Sequence, residues 1–129
     1  MPAVLDAMVL QVLRSSSHAL SAYEIAQRIA TREKDFAATQ AYRSLARLVA
    51  MERAARLEGL NAYCHRDAPH LPIVYCRHCR RTAPTVPAAV STDLAAQAIA
   101  RAGAAGFRVR NATVEIAALC TDCETGATH

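Results

Sequence analysis

The chain has no tryptophan, two phenylalanines and four glycines among its 129 residues, and only one of its 15 basic residues, Lys34, is lysine. It also lacks any long uninterrupted apolar run, so no segment reads as a membrane span. The N-terminus MPAVLDAMVLQVLR has no basic leader ahead of an apolar core and no small-residue cleavage site. Export is therefore not indicated, and a cytoplasmic location is expected, where thiols stay reduced and grouped cysteines more often hold metal than form disulfides. Paired carboxylates, a phosphate-binding glycine loop and a nucleophile–base arrangement are all missing, which argues against an enzyme. The formal charge of +4 is spread over both halves. It does not define a partner, although arginine's planar fork suits phosphate and base edges.

What is present has helical rhythm first and strand rhythm later. Val4, Leu5, Met8, Val9, Val12 and Leu13 make one apolar face of a helix over 3–14. Ser21 followed by Glu24 is a capping-box pattern that opens a second helix. Asp35 is placed to cap a third, in which Leu45, Leu48 and Val49 face a core and Gly59 supplies a late stop. The stretch LEGLNAY then suits a short hairpin. Three helices and a hairpin form a winged helix-turn-helix, whose third helix would present Thr39, Gln40, Tyr42, Arg43 and Arg47 to a DNA groove.

The second half predicts a strand over 71–75, a helix over 93–103 and two strands, over 107–110 and 113–119. Its large apolar residues are too few to close a core unaided, so a metal staple, a partner subunit or both are expected. The fold class is α+β: a winged helix over 1–65, a hinge over 66–70, and a small α/β dimerisation and zinc-binding unit over 71–129.

Two CxxC pairs, Cys76/Cys79 and Cys120/Cys123, lie 40 residues apart, each where an expected strand ends. Two such knuckles brought together make a closed four-cysteine Zn²⁺ site of structural type. The stretch CHRDAPH adds a fifth thiol. Cys64, His65 and His70, with Asp67 as an oxygen donor, form a partial zinc set at the junction of the halves; the competing reading makes Cys64 a small buried hydrophobe and leaves the histidines in solvent.

Taken together, these residues make the chain resemble the ferric uptake regulator family, and within it the zinc uptake regulators. LSAYEIAQRI resembles the family's second-helix pattern. QAYRSLARLVAMERAARLE resembles its recognition helix and wing, with Gln40 and Ala41 in place of Thr and Val. NAYC followed by His65, His70 and CRHC resembles the zinc-sensing branch, and Gly106–Phe107 leads to Glu115 and CTDC as in the family. The resemblance implies a homodimeric repressor that binds a palindromic operator in double-stranded DNA when a regulatory zinc is loaded, and that shuts down metal-uptake genes. By resemblance, Cys64 is the hinge thiolate and His70 the histidine ahead of the knuckle. Three departures stand out: the usual extra N-terminal helix is lacking, Ala55 stands at a wing position often held by His or Asp, and Pro84 stands near the place of an acidic ligand. The alternatives are a peroxide-, redox- or other-metal-sensing regulator on the same scaffold, and a zinc-stapled protein-interaction module that does not bind DNA.

Overall fold

Helical periodicity in the first third of the chain produces three helices in the computed structural model, which describes residues 2–66, 72–84, 88–110 and 112–126. They are α1 (Pro2–Arg14), α2 (Ala22–Ala30) and α3 (Ala38–Ala50), followed by the hairpin β1 (Ala54–Leu57) and β2 (Ala62–His65). Val9, Leu13, Ile25, Leu45 and Leu48 are fully buried where the three helices meet. Ser21 caps α2 as expected: its hydroxyl accepts the Glu24 N–H at 3.1 Å and its own N–H donates to Glu24 Oε1 at 2.8 Å.

The ends of α3 differ from expectation. Its N-cap is not Asp35 but Ala37, which offers no side-chain acceptor to the first turn, and the Gln40 side chain reaches back to accept the Ala37 N–H at 2.8 Å. The helix stops at Met51, well before Gly59. Glu52 turns left-handed at φ 59 and Arg53 N–H reaches back to the Leu48 carbonyl at 2.9 Å, a closure that leaves few orphan carbonyls. Gly59 instead lies in the hairpin turn, where a Cβ would fall 2.0 Å from the Tyr75 hydroxyl oxygen. It is there for close packing, not helix termination.

The second half comprises β3 (Ile73–Cys76), β4 (Thr82–Pro84), α4 (Ala88–Ala104), β5 (Glu115–Ala118) and the single turn α5 (Thr121–Glu124). The sheet order is β4-β3-β5. β3 and β4 are antiparallel, whereas β3 and β5 run parallel and are joined over α4. The strand expected over 107–110 does not form: Phe107 follows the left-handed Gly106 and is 70% exposed, with no neighbouring strand among the described residues to receive it. The three-residue β4 was not expected, and its terminal Pro84, which has no N–H, suits a sheet edge. The helix read over 93–103 starts earlier, at Ala88.

The halves are joined by more than the chain. Ala55, Leu57, Ala62 and Cys64 of the hairpin pack with Ala19, Ile73 and Tyr75 in a second buried cluster. Residues 17–20, between α1 and α2, run between the two halves: Leu20 and Tyr63 exchange backbone bonds at 2.9 and 2.7 Å, while Ala19 N–H donates to Arg80 O at 2.9 Å and Thr82 N–H to Ser17 O at 3.0 Å. Glu115 caps the hairpin turn by accepting the Glu58 N–H at 2.7 Å and the Gly59 N–H at 3.3 Å. The buried Arg66 guanidinium donates to the Ala112 carbonyl and the Thr113 hydroxyl.

Asp6 on α1 holds Arg47 on α3 through Nε and Nη2, at 2.8 to 3.1 Å. The Arg47 hydrogen bonds lower the Asp6 pKa against the opposing effect of burial. A carboxylate with a depressed folded pKa stabilises fully above its unfolded value of about 4 and loses that contribution as pH falls through the folded value. Asp6→Asn should therefore lower the melting temperature at neutral pH and flatten its fall below about pH 4, as followed by thermal unfolding across pH. An unchanged acid limb would show that the pair contributes nothing.

Candidate metal centre

The parallel pairing of β3 and β5 builds the site. It sets Cys76 beside Ala118, so the turn after β3 and the turn after β5 begin side by side. Cys76 ends β3, Cys79 sits in the following turn, Cys120 is the N-cap of α5 and Cys123 lies within α5. Arg77 N–H donates to the Ala118 carbonyl at 2.8 Å, and Arg80 N–H to the Cys76 carbonyl at 2.9 Å, which fixes the first knuckle against the second.

All four Sγ atoms lie within 4.8 Å of one another, and those of Cys79 and Cys120 are 3.8 Å apart. Zinc–sulfur bonds of about 2.3 Å in a tetrahedron place the sulfurs about 3.8 Å from each other. The thiols do not ionise alike. Amide donation from Cys120 at 3.4 Å, followed by that from Cys79 at 3.5 Å, brings Cys76 down to about 5. Cys123 is pushed up by burial and by the other three cysteines. The Arg81 amide and Cys123 lower Cys79, but burial, Cys76 and Cys120 together outweigh them, so the net shift is upward. Cys76 forms a thiolate readily while Cys79 and Cys123 resist, so four thiolates this close require a cation among them. The donor set fits Zn²⁺ with every position filled by protein, an arrangement that stabilises structure and leaves no site for substrate.

The second expected cluster is placed only in part. Cys64 is 5% exposed, directly across the hairpin from Ala55, and faces the Ile73–Tyr75 cluster. Burial pushes its thiol up to about 12; Arg66 pulls it down and Glu115 adds to the rise. His65 is half-buried, opposite Ala54, and strand alternation turns it to the other face of β2 from Cys64. Asp67 and His70 lie outside the described residues. Ala55 offers only a methyl group, while Glu115 brings the carboxylate felt at Cys64 from β5, far away in sequence.

On α3, Thr39, Tyr42 and Arg43 stand on the exposed side, Tyr42 at 51% exposure. Gln40 caps its own helix and Arg47 is held by Asp6 and Ser44, and both are half-buried. No helix among the described residues is long and apolar enough to cross a membrane.

Neither a family model nor a curated protein matches the chain by sequence. Solved structures do. Holo XcZur is 25% identical with a TM-score of 0.72, covering 94% of this chain and 84% of its own. A zinc uptake regulator complexed with zinc and DNA is 22% identical at a TM-score of 0.72, over 95% and 82%. The Helicobacter pylori ferric uptake regulator is 17% identical at 0.61, over 93% and 79%. A winged helix joined to a β-α-β unit with four convergent thiols is thus a fold this chain shares with solved zinc and ferric uptake regulators. Holo XcZur and the zinc uptake regulator complexed with zinc and DNA overlay the chain better than the Helicobacter pylori ferric regulator does.

Proposed function

We propose that the protein is a zinc-responsive transcriptional repressor of metal-uptake genes, binding a palindromic operator as a metal-loaded homodimer. The observation that carries this reading is the overlay, across nearly the whole chain, on a zinc uptake regulator solved with zinc and DNA. In this reading Zn²⁺ at Cys76, Cys79, Cys120 and Cys123 supplies structural cross-linking, residues 1–65 read DNA, and residues 71–129 dimerise about the 66–70 hinge. Support for the dimer comes from β5. It pairs only with β3 among the described residues, and Ile116 and Leu119 are exposed beside it at 41% and 48%.

Thr39, Tyr42 and Arg43 are the proposed DNA contacts. Gln40 and Arg47 support the helix that presents them. Cys64 and His70 are the proposed regulatory ligands, with Asp67 as an oxygen donor; His65 is left out because it faces away from Cys64. Filling this site would favour one orientation of the halves and so raise operator affinity by linkage. The redox alternative has less support, since a sensor thiol needs exposure and a low pKa, whereas Cys64 is buried and raised.

Selection from random duplex DNA by the purified protein, with zinc or with a mild chelator, tests the reading. A palindromic sequence enriched only with zinc is expected. Enrichment of no sequence under either condition would overturn it.

A further inference from the structure

Arg80 belongs to both halves at once. It directly follows Cys79, and its backbone is left-handed at φ 71, a region that favours glycine and strains a residue bearing a Cβ. Glycine would serve a turn that needed only that shape. Arginine does more here, because both its backbone and its side chain reach the winged-helix half. Its carbonyl accepts the Ala19 N–H at 2.9 Å, while Nη2 donates to the Ala19 carbonyl at 3.1 Å and to Glu24 Oε1 at 2.7 Å. That same Glu24 oxygen accepts the Ser21 N–H and so closes the capping box of α2. Arg80 Nε is buried and finds no partner among the described residues, so the pose is kept even though one donor goes unmet.

We propose that Arg80 is a positioning residue that couples the four-thiol centre to the first turn of α2, so that metal held at the knuckles also orders the start of that helix in the winged-helix half. The backbone connects the two directly. Arg80 N–H is bonded to Cys76 O and Cys76 N–H to Arg81 O at 2.8 Å, so an ion that fixes Cys76 and Cys79 fixes Arg80 between them. Loss of the ion frees the turn, and with it the bonds to Ala19 and Glu24. The capping box then stands alone. The coupling does not depend on DNA binding; only its consequence for operator affinity rests on the function proposed above.

The test is hydrogen exchange at the Glu24 and Ile25 amides of the zinc-loaded full chain, with metal per protomer measured in parallel. Arg80→Gly is the informative variant because glycine tolerates the turn while removing the side chain. It is expected to keep its metal yet exchange these amides about tenfold faster. Glu24→Gln, which lies far from the knuckle and retains an acceptor for Ser21, should also speed exchange. The double variant should be no faster than Arg80→Gly alone, because both changes remove one interaction. Stripping metal from the unsubstituted chain should speed the same amides. Unchanged protection in metal-loaded Arg80→Gly, or simply additive effects of the two substitutions, would overturn the coupling. If Arg80→Gly loses metal, the Glu24→Gln result decides: unaltered exchange there equally refutes it. A chain that binds no DNA at all would sink the proposed function and leave this result standing.

Discussion

Cys120→Ser should abolish the folded second half. Serine is a poor zinc ligand, and the three remaining thiols would leave an open position where the closed tetrahedron gives stability. Structural zinc binding in small domains is worth roughly 10–16 kcal/mol at neutral pH, comparable with or larger than the total stability of an ordinary domain. The β-α-β unit has little to set against that loss. On the described part of its sheet, Ile73, Tyr75 and Cys76 are buried, but Ile116 and Leu119 are exposed. The expected result is loss of tightly held metal, of the dimer and of cooperative unfolding in the second half. Helical signal from α1–α3 should persist, because Val9, Leu13, Ile25, Leu45 and Leu48 form a core that contains no thiol. Elemental analysis, sedimentation and circular dichroism on one preparation read all of these. Full metal and a normal dimer in Cys120→Ser would contradict the four-thiol assignment.

Arg43→Ala should weaken DNA binding by about tenfold or more, the range expected for losing one good side-chain contact to a base. Among the five residues expected from sequence to face a groove, Arg43 is an exposed cation, whereas the half-exposed Arg47 is held by Asp6. The pattern of loss identifies the contact. Relaxed preference at one operator position, with an unchanged salt slope, means base readout. Uniform weakening, with the slope reduced by about one, means a phosphate contact. Binding unaltered in both affinity and salt dependence would remove α3 as the reading helix. Asp6→Asn provides a useful comparison: it frees Arg47 without touching the exposed face.

Where local chemistry decides structure, the sequence was readable. The Ser21–Glu24 capping box, the apolar spacing of Leu45 and Leu48, the hairpin around Gly59 and both thiol knuckles all form where short-range pattern places them. Long-range contacts left no such trace. Arg80 meets Glu24 across 56 residues, Glu115 meets the hairpin turn across 57, and Arg66 meets Ala112 across 46. Each is an ordinary charged residue in its own neighbourhood, so nothing nearby marks it. The same limit explains the misreading of 107–110. FRVR alternates like a strand, but alternation needs a neighbouring strand and a core, and the described residues offer Phe107 neither. Nothing local marked the second role of Gln40 and Arg47 on α3, as a cap and as an ion-pair partner. Their bonds run to Ala37 and Asp6.

The most direct test of the account is the zinc content of each protomer, measured with operator affinity before and after mild chelation. The account predicts two zincs, one of them removable, with DNA binding falling as it leaves and the Cys64→Ala variant holding only the other. A single zinc that resists chelation and persists unchanged in Cys64→Ala, with DNA binding indifferent to added zinc, would contradict it. The four-thiol centre would then be a structural element in a protein that does not sense this metal.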